Sequence, residues 1–349
     1  MRRPVGIKQV AETAGVSITT VSHALNGKGR LPEATRQHVR QIAEQLGYSP
    51  NATARNLAGG RTGLIGLAVA QTLEGRFAVS DFAYYSQLMS TATTAAIDHG
   101  YALVLASGEE ARAWRNIRLD GVIIVDPVRS DPLCREFLAQ RVPIVTTGRI
   151  PDGTDGCWVD NDHRAGTRSI LDHLAARGAE RIALLGSPLV TSYATDVRDA
   201  YDGWCSEHMQ EPIVVEARDD LTEGSGFEAT VKLLRRRRPP DAVYATLDRL
   251  ALGALLAAQA RDLSVPRELL VAGCTDSDAG KWARPSLTAL ALNPEEIGRA
   301  ALAMMIGLIE GSGPQPENVL VPTRILPRGS TRRRVLKGRG HAGIATASG

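Results

Sequence analysis

Ala11-Glu12-Thr13-Ala14-Gly15-Val16-Ser17-Ile18-Thr19-Thr20-Val21-Ser22 is the stretch from which the chain is best read. A small residue, a glycine four positions on and a valine six further on sit inside an apolar helical pattern. Two helices joined by a tight turn need that chemistry. Ala11 lets the first helix lie close to the second. Gly15 takes the positive-φ position of the turn at no steric cost. Ser17 stands where it caps the second helix, and Val21 faces back onto the first. A second helix held in this way fits the major groove of DNA.

Working outward, Ile7 to Ala14 reads as the first helix and Ser17 to about Asn26 as the second. Asn26-Gly27-Lys28-Gly29 is a turn. Pro32 opens a third helix, which runs through Val39, Ile42, Ala43 and Leu46 and stops at Gly47. The segment Pro50 to Ala58 is too short for a stable free helix, and Gly59-Gly60 marks a linker.

The chain of 349 residues carries a net charge of +3, unevenly spread. Residues 1–61 hold nine Lys and Arg against three Glu, and the 26 residues from Arg324 hold seven basic residues and no acid. The remainder is acidic by ten charges. A basic head on an acidic body reads as a nucleic-acid-binding domain joined to a domain with another job. No apolar run reaches the ~18 residues of a membrane span. Arg2 and Arg3 are followed by no apolar stretch of a signal peptide. Cys134, Cys157, Cys205 and Cys274 form no C-x-x-C pair, which argues against a metal framework and suits a reducing cytoplasm. No cofactor and no membrane partner are expected.

From Leu64 the pattern changes. Apolar runs at Leu64–Ala70, Ala102–Ala106, Gly121–Val125, Pro143–Thr147, Ile182–Gly186, Ile213–Val215, Ala242–Thr246 and Leu269–Gly273 alternate with helical stretches. Such alternation predicts parallel sheets, and there are too many strands for one small sheet. The expected fold class is an N-terminal all-α helix-turn-helix head plus an α/β body of two parallel-sheet subdomains. The tail beyond Leu336 is rich in Gly and Ala and is expected to be disordered.

The chain resembles the LacI/GalR family of bacterial transcription regulators up to about Thr331. The residues that carry the resemblance are Ile7-Lys8-Gln9-Val10-Ala11 through Val21-Ser22, Ala24-Leu25-Asn26, Leu46-Gly47-Tyr48, Pro50-Asn51 and Arg55-x-Leu57. Ile65-Gly66-Leu67, Asp120-Gly121-Val122-Ile123, Asp160-Asn161, His173-Leu174, Arg181-Ile182-Ala183, Pro240-Asp241-Ala242, Val265-Pro266 and Pro285-Ser286-Leu287-Thr288 extend it. The resemblance implies a periplasmic-binding-protein-like body crossed three times by the chain, a homodimer, a small-molecule effector in the cleft, and a near-palindromic operator DNA. It implies a helix-turn-helix domain at 1–49, a hinge helix and linker at 50–61, and an effector-binding and dimerisation body at 62–331. The first subdomain takes about 62–160 plus 291–320 and the second about 161–290 plus 321–331, which leaves 332–349 as the tail.

Within that frame Ile18, Thr19, Thr20 and His23 are the expected base readers, with Ser17, Ser22, Asn26 and Arg30 as phosphate or positioning contacts. The family usually carries Arg where this chain has His23. A neutral His lacks the bidentate reach of Arg to guanine, so an unusual operator is expected. Leu57 is implied as a minor-groove wedge, with Asn51, Ala54 and Arg55 beside it. For the effector, the resemblance points to Arg198 and Asp248, and less sharply to Asp160, Thr275, Tyr84 and Tyr85. Thr275 stands where an Asp often holds sugar hydroxyls. Arg235–Arg238 reads as a solvated helix end, and His163 and His173 as core or surface residues without metal partners.

The reading is therefore a cytoplasmic repressor whose operator affinity is set by a sugar or related metabolite. A transport solute-binding protein would share the body but leave residues 1–61 unexplained. An activator of the same fold stays open. An enzyme lacks any paired nucleophile and base, and the chain has no phosphate-binding loop, G-x-S-x-G or H-E-x-x-H.

Overall fold

The computed structural model describes residues 5–25, 29–48, 60–69, 83–107, 114, 116–151, 156–188, 191–218, 220–311 and 317–332. The chain divides into two compact units, Met1–Gly63 and Leu64–Gly349.

The first unit holds three helices: α1 (Ile7–Ala14), α2 (Ile18–Leu25) and α3 (Glu33–Leu46). Val10, Val21, Ala24 and Val39 are wholly buried between them. Gly15 ends α1 at φ +66°, and the Val16 N–H closes back on the Ala11 carbonyl at 3.1 Å. Gly47 ends α3 in the same left-handed conformation. Pro32 is the N-cap of α3 rather than its first residue, and α2 begins at Ile18 with Ser17 before it.

The second unit contains two six-stranded sheets. Sheet 1 comprises β1 (Leu64–Val69), β2 (Ala102–Ser107), β3 (Gly121–Val125), β4 (Ile144–Thr147), β5 (Cys157–Asn161) and β11 (Val319–Val321), in the order β11-β5-β4-β3-β1-β2. All its pairings are parallel. Two helices, α4 (Ala83–Asp98) and α11 (Pro294–Glu310), meet on one face through Leu88, Ala92, Ile297, Ala301 and Met305. The other face carries Trp114, Leu119 and α5 (Pro132–Ala139), whose Asp131 cap accepts the Leu133 and Cys134 N–H groups at 2.9 and 3.0 Å.

Sheet 2 comprises β6 (Ile182–Gly186), β7 (Ile213–Glu216), β8 (Ala242–Ala245), β9 (Leu270–Cys274), β10 (Thr288–Ala291) and β12 (Arg324–Leu326), in the order β12-β10-β9-β8-β6-β7. It is parallel, as expected, except at its edge, where β12 runs antiparallel to β10. The reason is a connection of two residues from β11, too short for a crossover that would bring the strand in parallel. Its two faces carry α6 (His163–Ala176) with α7 (Ser192–Glu207), and α8 (Glu223–Leu234) with α9 (Asp248–Gln259). A short α10 (Asp278–Trp282) lies between β9 and β10.

The chain passes between the sheets three times: from β5 into α6, from β10 into α11, and from β11 into β12. Ligands of open parallel sheets bind outside the carboxyl ends of the strands. The loops at those ends of β3, β4, β5, β6, β8 and β9 are therefore the place to look for a site.

Candidate functional site

In the first unit, α2 shows its outer side to solvent. Ser17, Ile18 and Thr19 are exposed, Ile18 at 47% although apolar, while Thr20, Ser22 and His23 are partly buried. The Ser17 hydroxyl oxygen accepts the Thr20 N–H at 3.0 Å, the cap expected from the sequence, and lies 2.9 Å from the Thr20 hydroxyl. These two hydroxyls are thus engaged with each other. Arg30, Lys8 and Arg40 are exposed. Asn26, Asn51, Ala54, Arg55 and Leu57 lie outside the described residues, as do most of the hinge and tail segments.

In the second unit, polar side chains converge where the two sheets meet. Gly148, at φ +96° after β4, lets the chain turn so that the Arg149 N–H donates to the Ser192 hydroxyl of α7 at 3.0 Å. A Cβ on Gly148 would come 3.1 Å from that hydroxyl. The Arg149 guanidinium bonds Asp196 of α7 and lies over Trp158. Asp160, at the end of β5, holds the His163 Nε2 at 3.0 Å and the Ser192 hydroxyl at 3.4 Å. The His163 ring packs on Tyr193, its Nδ1 buried without a hydrogen-bond partner among the described residues. Asp126, at φ +50° after β3, accepts the Tyr85 hydroxyl at 2.7 Å, and Asn161 reaches the Tyr84 hydroxyl at 3.4 Å. Arg149–Asp196 and Asp160–Ser192 run from sheet 1 to a helix of sheet 2, so any change in the angle between the sheets strains or breaks them.

Beside this cluster lies a cavity of about 310 Å³ at the carboxyl ends of β6, β7 and β8. Tyr193, Thr195, Arg198, Glu216 and Thr246 give it polar walls, and Val197 and Val214 apolar ones. Tyr193 belongs to both places, and its hydroxyl donates to the Thr246 carbonyl at 2.6 Å.

Of the effector residues singled out in the sequence, Tyr84, Tyr85 and Asp160 stand in the cluster. Arg198 is exposed, bonds Asp202 one turn on at 2.7 Å, and lines the cavity rather than the cluster. Asp248 turns to the loop after β9: one oxygen accepts the Ser277 N–H, and burial raises its carboxyl above the usual range. Thr275 belongs to the same loop, at φ +88°. Asp126, Arg149, His163, Ser192, Tyr193 and Asp196 were not foreseen. Asp126 directly follows β3 and Arg149 comes two residues after β4, and this position at a strand's carboxyl end is the signal that could have marked them. Among the described residues no group of His, Cys, Asp and Glu is arranged to hold a metal ion, and no helix is long and apolar enough to cross a membrane.

Burial pushes the Asp126 carboxyl from 3.8 up to about 6; the Tyr85 hydroxyl opposes this, and Asp160 adds to it. The folded state therefore holds this proton more tightly than the unfolded chain does. The ionisation penalty is absent below about pH 4, grows as the pH rises toward 6, and is complete above it. Asp126→Asn is expected to stabilise the ligand-free protein at pH 7 by roughly 1–2 kcal/mol and to do little at pH 4. Thermal melts at the two pH values check this. An equal effect at both would show that Asp126 is not held in this way.

Two family models match the chain: bacterial regulatory proteins of the lacI family over residues 6–51, and the periplasmic binding protein-like domain over residues 171–331. The HTH-type transcriptional regulator CelR of Thermobifida fusca is 29% identical over 340 residues, covering 94% of this chain and 98% of that protein. The lactose operon repressor of Escherichia coli (strain K12) is 29% identical over 341 residues, covering 94% of this chain and 91% of that protein. Among solved structures, the Lac repressor dimer bound to operator and the anti-inducer ONPF superposes with a TM-score of 0.74 at 28% identity, over 94% of this chain and 99% of that one. The CelR–cellobiose complex does so at 0.70 and 28%, over 94% of this chain and 100% of that one.

Proposed function

The chain belongs to the LacI family of bacterial regulatory proteins, and from that premise we propose that it is a transcriptional repressor whose operator affinity is set by a small polyhydroxylated effector, a sugar or related metabolite. The observation that carries the reading is the convergence of Asp126, Asp160, Asn161, His163, Ser192 and Tyr193 where the two sheets meet. Carboxylate and amide oxygens with unfilled acceptor sites, and a ring nitrogen with no partner among the described residues, suit hydroxyl groups. The tyrosines give flat apolar walls, and the cavity beside Tyr193 gives room.

DNA is read by α2, with Ile18, Thr19 and Ser22 toward base edges or phosphates and Arg30 beside them. Leu57 is assigned the role of a minor-groove wedge at the operator centre. A homodimer is inferred from exposed apolar groups on the body: Ile97 at 65%, Leu105 at 55% on the edge strand β2, Leu256 at 50% and Trp282 at 75%. Two-fold symmetry of the dimer makes the operator near-palindromic. The setting is the cytoplasm, where operator and metabolite meet.

Regulation is linkage. An effector alters DNA affinity only by binding the two arrangements of the sheets with different affinities. Its bonds to Asp160, Ser192 and Tyr193 compete with the ones that now join the sheets. The test is selection of operator from random duplexes by the full-length protein, with and without a panel of sugars, polyols, nucleosides and small acids. Asp160→Asn is then expected to weaken the response to the active compound about tenfold or more, with ligand-free operator affinity within about twofold of the parent. A parent-like response from Asp160→Asn would move the effector site elsewhere.

A further inference from the structure

Arg36 stands in the first turn of α3, where a positive charge meets the unfavourable end of its own helix dipole. Its guanidinium reaches away from its own helix. One guanidinium nitrogen donates to the His23 carbonyl at 3.2 Å and another to the Gly29 carbonyl at 2.7 Å. The His23 carbonyl is one of the four in the last turn of α2 that an α-helix leaves open. A cation there is favoured by the dipole of α2, which offsets the cost on α3.

Gly29 is shaped for the same arrangement. It lies at φ +72°, and a Cβ there would come 2.7 Å from His23 Nδ1 and 3.2 Å from His23 Cγ. The His23 ring therefore rests on the bare backbone of residue 29, and His23 is only partly exposed. A planar fork fixes the angle between the two carbonyls it joins, which a Lys ammonium cannot do.

We propose that Arg36 is a positioning residue for base reading: its fork ties the carboxyl end of α2 to the Gly29 turn and so sets the place of the His23 ring, making residues 23, 29 and 36 one specificity unit. This rests on the reading of α2 as the helix that enters the major groove. The unit replaces the simpler expectation that His23 acts alone. Its neighbours decide where its ring nitrogens stand, so a substitution at 29 or 36 alters base preference with no contact to DNA of its own.

The test is selection from random duplexes by the full-length parent and by Arg36→Lys, Gly29→Ala and His23→Ala, with affinities for the selected operator and for random DNA measured across salt. Arg36→Lys keeps the charge and loses the fork. It is expected to lower the ratio of operator to random-DNA affinity about tenfold or more, with the salt slope changed by less than about 1. The base preference should flatten at one symmetric pair of positions, the same pair that His23→Ala flattens. Gly29→Ala, with Arg36 intact, should flatten that pair as well, and adding it to His23→Ala should cost little more.

Far-UV circular dichroism confirms that each variant is folded; if Arg36→Lys is not, Gly29→Ala decides alone. Parent-like selection by Arg36→Lys and Gly29→Ala would overturn the proposal. So would weakening that is uniform across sequences with a slope lowered by about 1, the signature of a plain phosphate contact. A parent that selects no motif would instead overturn the reading of α2, and the proposal with it.

Discussion

A chain that begins at Arg61 is expected to lose operator binding by about three orders of magnitude or more, down to whatever the body retains for any DNA. Residues 1–61 carry a surplus of six positive charges, and the stretch from Leu64 to Pro322 carries most of the acidic residues. Phosphate attraction and base reading therefore leave together. The body itself should persist, since Leu64–Gly349 forms its own compact unit around two complete sheets. Fluorescence anisotropy on the operator selected by the full-length protein, at fixed salt, gives the affinity. Circular dichroism and sedimentation show whether the remainder is folded and dimeric. Tight sequence-specific binding by the shortened chain would refute the assignment of DNA recognition to the head.

The second large effect concerns stability. Two glycines lie where α8 and α9 cross. A Cβ on Gly253 would come 2.2 Å from the Glu223 carbonyl oxygen and 2.5 Å from the Phe227 nitrogen; one on Gly226 would come 2.5 Å from the Leu250 carbonyl oxygen. These are backbone atoms, which cannot swing aside as a side chain does. Glycine inside a helix costs about 1 kcal/mol against alanine, so each residue is retained for close packing of the helices. Gly253→Leu should therefore destabilise the body by about 3 kcal/mol or more, and Gly253→Ala by roughly 1–3 kcal/mol. Gly203, inside α7 with nothing within 4 Å of its Cβ position, is the control. Gly203→Ala should be stabilising by about 0.5–1 kcal/mol. Urea denaturation of the three variants separates the cases. A harmless Gly253→Leu would mean that the two helices do not approach as described.

Most of the architecture was open to reading because its central strands are long enough and apolar throughout. Gly121–Val125 and Ile182–Gly186 are buried at every position, and such runs between helical stretches admit few folds. The strands that escaped notice are short or polar. Cys157-Trp158-Val159-Asp160-Asn161 ends in the very residues that enter the site, Thr288–Ala291 has four residues and opens on a threonine, and Val319–Val321 and Arg324–Leu326 have three residues each. No periodicity can be read in three residues. The site was less legible than the fold. Tyr84, Tyr85 and Asp160 were singled out, and they stand where the sheets meet. Arg149 and Asp196 are 47 positions apart, and only the folded chain brings one to the other. Asp248 looked like a ligand group because it follows a strand; one of its oxygens accepts the Ser277 N–H of the loop after β9, a contact that the sequence does not announce. In the head, local chemistry sufficed for Gly15 and Ser17, because a left-handed turn and a cap are decided within a few residues. The Arg36 fork, which spans two helices, was beyond that range.

The threading of the chain through both sheets also sets the order in which a ribosome can complete them. Sheet 2 has five of its six strands once residue 291 has emerged, whereas sheet 1, begun at Leu64, still lacks β11 and the helix α11 that covers Leu88 and Ala92. At about 5–20 residues per second, the next thirty residues take a few seconds. Throughout that interval the subdomain begun first has an uncovered apolar face and an open strand edge at β5. The half begun second is the first to gather most of its strands, lacking only β12, and the nascent protein is most vulnerable to aggregation while residues 292–321 are being added.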